Sequence, residues 1–347
     1  LNELNGKPKE AESIWGILSS ARKIEKIFGQ VHVNFGEPIF LDQVLTANHA
    51  DQIKLNIHDE LPQPVIQTVD QVANSILENI NKAVVVNPIS LISLILLNTE
   101  NHALNENDLI SQIEQYRYLL NDVKYDPRMM MTELCTVDII QYAIKLKQVE
   151  SFSQNNENWI RVAESQRILL SYFSNNILHC FILPALVAML IQSYKKVSCH
   201  YLIDTIKNMY PYFKEEFFLK WNLDELENEI GSIINSLDHL GWIILQDNTV
   251  SMTLDEHMQS KLLSLAHLSS ASLNNMLIIS ALLQQYAPAQ SLTLKELENM
   301  SKAVLQKLSQ TQKIQSGYYF DSATLKSFIS ILKQNAVLSV KDDCLVI

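Results

Sequence analysis

The sequence predicts a mainly α protein, and three observations carry that expectation. Only 7 glycines occur among 347 residues, well below average usage. Long segments repeat apolar residues at three- and four-residue spacing, the pattern of amphipathic helices. From about residue 84 onward, an order of helices followed by two short strands recurs three times at a nearly constant period.

Composition narrows the function. Hydrophobic residues make up 47% and aromatics 8%, enough for a sizeable core and two or three domains, which excludes a disordered chain. The formal net charge of -11 repels a phosphate backbone, so no nucleic acid is expected as a partner. Cys135, Cys180, Cys199 and Cys344 form no Cys-x-x-Cys pair and read as buried, reduced thiols of a cytosolic protein. The opening LNELNGKPKEAES has no apolar signal region and no initiator methionine, so the expectation is a chain that starts within something larger.

Taken in order, the first element is a helix over ESIWGILSSARKIEKIF. VHVNFGEP follows, in which Val31, Val33 and Phe35 alternate with His32 and Asn34, predicting a short strand with one apolar face. Gly36 is free to take positive φ, Glu37 is driven to an extended conformation by the following proline, and Pro38 fixes its own φ. From the spacing alone this is an ordinary strand-to-loop turn. Leu61 to Ile80 reads as a helix with Val65, Ile66, Val69, Val72, Ile76 and Ile80 on one side, and the first domain is expected to end near Ala83. The runs Val84 to Leu97 and Ile177 to Gln192 are shorter than the roughly 20 residues a membrane span needs, and Asn87, Pro88, His179 and Pro184 interrupt them. Both are expected to be buried core helices.

The repeat rests on two markers. Leu109, Leu202 and Leu297 mark the second helix of each unit at intervals of 93 and 95 residues. Val149, Ile243 and Val337 mark the hairpin at intervals of 94 and 94. Units at about 84–165, 166–255 and 256–347 would each be winged-helix-like, with hairpins near 148–162, 242–253 and 336–347. The second helices carry Glu106, Asp108, Asp204, Glu296 and Glu298, a surface suited to protein packing and not to nucleic acid.

Val33 to Pro38, VNFGEP, resembles the fourth motif of the glycerolipid acyltransferases, an apolar residue, any residue, then Phe-Gly-Glu-Pro. The similarity continues through GKPKEAES, VVVNPISLISLILLNTENHALNENDL, ILLSYFSNNILHCFILPALVAM, MYPYFKEEFFLKW and GWIILQDN, stretches similar to the C-terminal half of the bacterial membrane-associated glycerol-3-phosphate acyltransferases. The resemblance implies that residues 1–83 are the C-terminal end of an α/β acyltransferase domain, followed by the helical region 84–347. It implies glycerol 3-phosphate as acceptor and acyl-CoA or acyl-ACP as donor, with transfer to the 1-position in phospholipid synthesis. It also implies a peripheral place on the cytoplasmic face of the inner membrane.

In that family a histidine of a His-x-x-x-x-Asp motif is the general base. None of the 9 histidines here has Asp five residues on. The second and third family motifs are absent as well, so Gly36, Glu37 and Pro38 are carried over only as a supporting motif, and the chain alone is expected to be inactive. Neither a metal nor a cofactor is implied, and there is no Gly-x-Ser-x-Gly elbow, phosphate-binding glycine loop or His-Glu-x-x-His pair. His32 is read as a strand-face residue, Met129 to Met131 as core filler, and Lys195 with Lys196 as a solvated helix end. The alternative reading is a non-enzymatic interaction module of winged-helix-like units. The oligomeric state is left open.

Overall fold

Helices dominate the chain, as the spacing of its apolar residues predicts. A computed structural model describes residues 29–51, 53, 61–286, 292–310, 322–341 and 344–346, and the helix expected before VHVNFGEP lies outside them. The chain divides into two compact units, residues 1–178 and 179–347.

In the first unit, residues 29–40 run without helix or strand into α1 (Leu41–Ala47), which packs on α2 (Gln63–Lys82). The helix α2 is the expected amphipathic one, yet Thr68 is its one buried residue, and Ile66, Val69, Ile76, Leu77 and Ile80 are exposed. After β1 (Val85–Val86), Asn87 caps α3 (Pro88–Leu97) by accepting a hydrogen bond from Ser90 N at 3.0 Å, and Pro88 opens the first turn. Nine of its 10 residues are buried, so this apolar run is a core helix. A 3-10 turn (Glu100–His102) and β2 (Ala103–Asn105) lead to α4 (Glu106–Asp122), β3 (Met130–Met131) and α5 (Thr136–Lys145). The unit then forms the hairpin β4 (Val149–Gln154) and β5 (Glu157–Val162), and a second 3-10 turn (Glu164–Gln166) opens α6 (Arg167–Tyr194).

The helix α6 corrects one expectation. It has 28 residues and continues through Pro184, so with the preceding turn it is long and apolar enough to cross a membrane. Length therefore does not exclude a span; burial argues for a core helix, since 72% of its apolar window lies inside the protein. Pro184 removes one intrahelical hydrogen bond without ending the helix because the turns around it, Phe181 to Ala188, are fully packed.

The second unit continues with β6 (Lys196–Ser198), α7 (Cys199–Phe217), α8 (Leu226–His239) and the hairpin β7 (Ile243–Gln246) and β8 (Thr249–Met252). Next come α9 (Glu256–His267), α10 (Ser270–Tyr286), β9 (Leu292–Thr293), α11 (Leu294–Gln310), α12 (Ser322–Gln334), β10 (Ser339–Lys341) and β11 (Cys344–Val346). Tyr212 of α7 meets Phe328 of α12 with ring centroids 5.0 Å apart.

Three small sheets share one strand order. In β2-β5-β4, β6-β8-β7 and β9-β11-β10, the strand that precedes the second helix pairs antiparallel with the second strand of the hairpin. Asn155-Asn156 and Asp247-Asn248 turn the first two hairpins with both residues at positive φ, the two-residue geometry that matches strand twist. Each hairpin is entered from a helix that ends on a left-handed residue: Lys147 (φ 56), Gly241 (φ 71) or Ala336 (φ 54). The residue after it donates back to the carbonyl five earlier, as Gln148 to Ala143, Trp242 to Leu237 and Val337 to Leu332, closing the same C-terminal cap each time.

That cap fixes the register of the repeat and moves one marker. Leu109, Leu202 and Leu297 are all fully buried. Val149 and Ile243 are buried too, whereas Val337 is 49% exposed and its neighbour Leu338 fills the equivalent core position. With two apolar residues side by side, the sequence alone does not say which one faces inward. The cysteines also divide: Cys180 and Cys199 are buried, Cys344 is half-buried and Cys135 is exposed, and all four are free thiols. Of the methionine run only Met129 is core; Met130 is exposed and Met131 half-buried, because both sit on the β3 strand.

Candidate functional site

Residues 31–38 do not form the expected strand. Val31, Val33 and Phe35 are 87%, 72% and 83% exposed, so their shared apolar face covers nothing. The physical reason is the lack of a neighbour: an extended segment becomes a strand only when another strand takes up its N–H and C=O groups, and among the described residues none lies beside it.

Side chains hold this segment in place of a sheet. Asn34, the any-residue position of the motif, donates from Nδ2 to the carbonyls of Ala83 and Arg128, both at 2.9 Å, and its Oδ1 accepts from Phe35 N at 3.0 Å. Farther upstream, Gln30 N donates to the Tyr142 hydroxyl at 2.8 Å. The bases that receive Asn34 are themselves tied together. Met130 N and Thr132 N donate to Val84 O and Val86 O at 3.0 Å each, in the parallel β1–β3 pair.

Gly36 corrects another expectation, since its φ is not positive. What the position demands is space: a Cβ there would lie 3.0 Å from Asn79 O and 3.1 Å from Asn79 Cβ, so a side chain would have to push the end of α2 aside by a few tenths of an ångström. The same Asn79 donates from Nδ2 to Glu37 O at 3.0 Å. The Glu37 carboxylate meets Arg128, whose Nη1 lies 2.7 Å from Oε1. Arg128 is in turn held by the buried Asp126, whose Oδ1 accepts from both its Nε and its backbone N at 3.0 Å. That hydrogen bond pushes the guanidinium pKa upward.

An open groove of about 630 Å³ follows these residues. His32, Asn34, Gly36, Glu37, Asn79 and Asn81 give it polar character, with Ile76 and Ile80 of α2 on its apolar side. Pro38 is exposed and does not line it. Of the three motif positions singled out in the sequence, Gly36 and Glu37 therefore line the groove and Pro38 does not. Asn34, Asn79, Asp126 and Arg128 escaped the sequence reading. Asp126-Pro127-Arg128 carries a legible local signal, an aspartate that caps its own turn, but nothing in the sequence pairs it with a residue so far away.

Another buried polar cluster lies in the second unit. Glu216 of α7 accepts from Ser272 Oγ of α10 at 2.8 Å, and burial pushes its carboxyl up to about 7. Asn275 lines the same small cavity, with Tyr212 and Phe328.

The Phe-Gly-Glu-Pro segment is gripped between a helix end and a short parallel strand pair, ahead of a helical region. The chain belongs to the family described as the glycerol-3-phosphate acyltransferase C-terminal region, which matches residues 1–341. Curated relatives named glycerol-3-phosphate acyltransferase agree in this. That of Haemophilus influenzae is 31% identical over 334 residues, covering 96% of this chain and 40% of the relative. The protein of Pseudomonas paraeruginosa is 31% identical over 339 residues, covering 97% and 41%. That of Xanthomonas campestris pv. campestris is 34% identical over 347 residues, covering 96% and 38%. The chain thus spans about 40% of the length of the relatives it matches.

Proposed function

We infer that this chain is the C-terminal portion of an enzyme that moves a fatty acyl group from acyl-CoA or acyl-ACP to the 1-hydroxyl of glycerol 3-phosphate. One observation carries the reading: the VNFGEP turn is held rigidly by Asn34, Asn79 and Arg128 while Val31, Val33 and Phe35 stay uncovered. Apolar side chains so exposed are suited to packing against the remainder of an acyltransferase domain, as is the bare stripe of α2. Residues 31–35 would then join that domain's sheet as a strand.

In the reaction, a base takes the proton of the glycerol hydroxyl, the oxygen attacks the thioester carbonyl, and the C–S bond breaks to release thiol, which regains a proton. No histidine of this chain stands in the His-x-x-x-x-Asp pattern, so the base belongs to the part of the protein found in the longer relatives. This chain's contribution is the ordered edge of the groove, and alone it does not turn over. Residues 84–165, 166–255 and 256–347 are three winged-helix-like units, supported by their shared strand order and identical helix caps. In a chain of net charge -11 they serve protein packing, not nucleic acid. The reading carries with it a peripheral place on the cytoplasmic face of the inner membrane, and the burial of α6 supports a core helix in place of a span.

The test is a full-length protein carrying this chain, given palmitoyl-CoA or palmitoyl-ACP with and without glycerol 3-phosphate. Thiol release that depends on glycerol 3-phosphate and yields the 1-acyl product is the expected result. Release that is indifferent to glycerol 3-phosphate contradicts the reading, and leaves the non-enzymatic module of winged-helix-like units in its place.

A further inference from the structure

We propose that Arg128 is a positioning residue for acyl transfer: clamped by buried Asp126, its guanidinium fixes the Glu37 carboxylate at the edge of the groove. The proposal rests on the acyltransferase reading above and assigns a role to a residue outside the sequence motif.

Arg128 touches the motif at two points. Its carbonyl accepts from Asn34 Nδ2, and its Nη1 meets Glu37 Oε1. Glu37 is thereby gripped twice, through its own carbonyl by Asn79 and through its carboxylate by Arg128. An exposed ion pair ordinarily stabilises little, because ordering two long side chains offsets a screened attraction. Here the ordering is already done. Asp126 has a side chain only 7% exposed and receives both the Nε and the backbone N of Arg128, so the guanidinium plane is set before Glu37 arrives. Asp126 holds the guanidinium by a hydrogen bond from Nε, and Glu37 meets Nη1 at 2.7 Å as an ion pair, so Asp126 sets the plane and charge attraction draws the Glu37 carboxylate to it. The Asp126 turn leads straight into β3, which is hydrogen-bonded to β1, so the clamp stands on rigid backbone. Fixing a groove carboxylate in this way raises rate through orientation, and misplacement by about 1 Å is enough to cost on the order of 100-fold.

A purely structural role predicts something different. Arg128 would then secure only the 126–131 loop, and its loss would lower stability while leaving turnover per folded molecule intact. The experiment compares Arg128→Ala, Arg128→Lys, Glu37→Gln and the double variant Arg128→Ala/Glu37→Gln in the full-length protein, with thermal unfolding recorded on each. Arg128→Ala and Glu37→Gln should each lower kcat roughly 10-fold or more, with KM for glycerol 3-phosphate moved by less than about threefold. The double variant should be no worse than either single one, and Arg128→Lys should recover part of the loss. Wild-type turnover with kcat of Arg128→Ala within about twofold of it, or multiplicative losses in the double variant, overturns the positioning role alone. A wild-type protein with no glycerol-3-phosphate-dependent turnover overturns the acyltransferase reading and this role with it.

Discussion

The segment from residue 29 to the end of α2 and the helical region after it use apolar residues in opposite ways. In the helical region Leu109, Leu202 and Leu297 recur at nearly one period, and each is completely buried. In the earlier segment Val31, Val33 and Phe35 alternate as cleanly, and all three are exposed along with Ile66, Val69 and Ile80 of α2. A periodic pattern states which face of an element is apolar; whether that face is covered depends on what stands opposite. The repeat units carry their own opposite face, and the motif segment does not.

The largest effect separating the two regions should come from truncating a marker in each. Leu109→Ala removes a fully buried side chain and should cost about 2–5 kcal/mol, whereas Phe35→Ala should lie within about 0.5 kcal/mol, both read from denaturant unfolding of this chain. A Phe35→Ala cost near that of Leu109→Ala would show that the motif segment is covered after all.

The buried side also holds an acid, and its pH response sharpens the contrast. Glu216 has its carboxyl raised by burial from 4.5 to about 7 in the folded protein. The folded state therefore holds that proton more tightly than the unfolded one. Its stabilisation is fully present below pH 4.5, declines as pH rises and is gone above about 7. The change is on the order of 3 kcal/mol at 1.36 kcal/mol per pH unit. Glu216→Gln should flatten this dependence when thermal unfolding is followed from pH 4 to 8. No wild-type decline over that interval would contradict the burial assigned to Glu216.

Two glycines make the comparison at finer scale. Gly241 sits at φ 71 with open space around it, so Gly241→Ala should cost about 1–2 kcal/mol from backbone strain and Gly241→Asn less, because asparagine tolerates the left-handed region. Gly36 is limited by Asn79 and not by φ, so the order should reverse, with Gly36→Asn worse than Gly36→Ala. Melting temperatures of the four variants decide the matter, and the same order at both positions would contradict it. The smallest effect belongs to Lys147, which occupies Gly241's place in its own unit: Lys147→Gly should stabilise by about 1 kcal/mol or less. A loss of stability there would break the equivalence of the two helix caps.

How much was legible follows from the same contrast. Helices and hairpins were readable because their signals are local: spacing for α4, α7 and α11, and short apolar strands beginning at Val149 and Ile243. The third hairpin slipped by one residue because Val337 and Leu338 are both apolar, and only the cap donated by Val337 N shows which one points inward. Gly36 announced that a side chain was unwelcome but not why, since flexibility and close approach leave the same residue in the sequence. The clamp of Asp126 and Arg128 on Glu37 was invisible, because tertiary pairing across this distance leaves no periodic trace.

The central claim is that this chain supplies an ordered edge of an acyltransferase groove and lacks the base that drives the reaction. Loss of a general base typically lowers rate by about 10²–10⁴-fold, and the second and third motifs of the resembled family are absent from this chain as well. The direct measurement is thiol release from palmitoyl-CoA in the presence of glycerol 3-phosphate, with the purified chain and a full-length protein carrying it assayed side by side. The full-length protein should turn over and the chain should match buffer. Saturable, glycerol-3-phosphate-dependent turnover by the chain alone would contradict the account, because it would place a working base among residues 1–347.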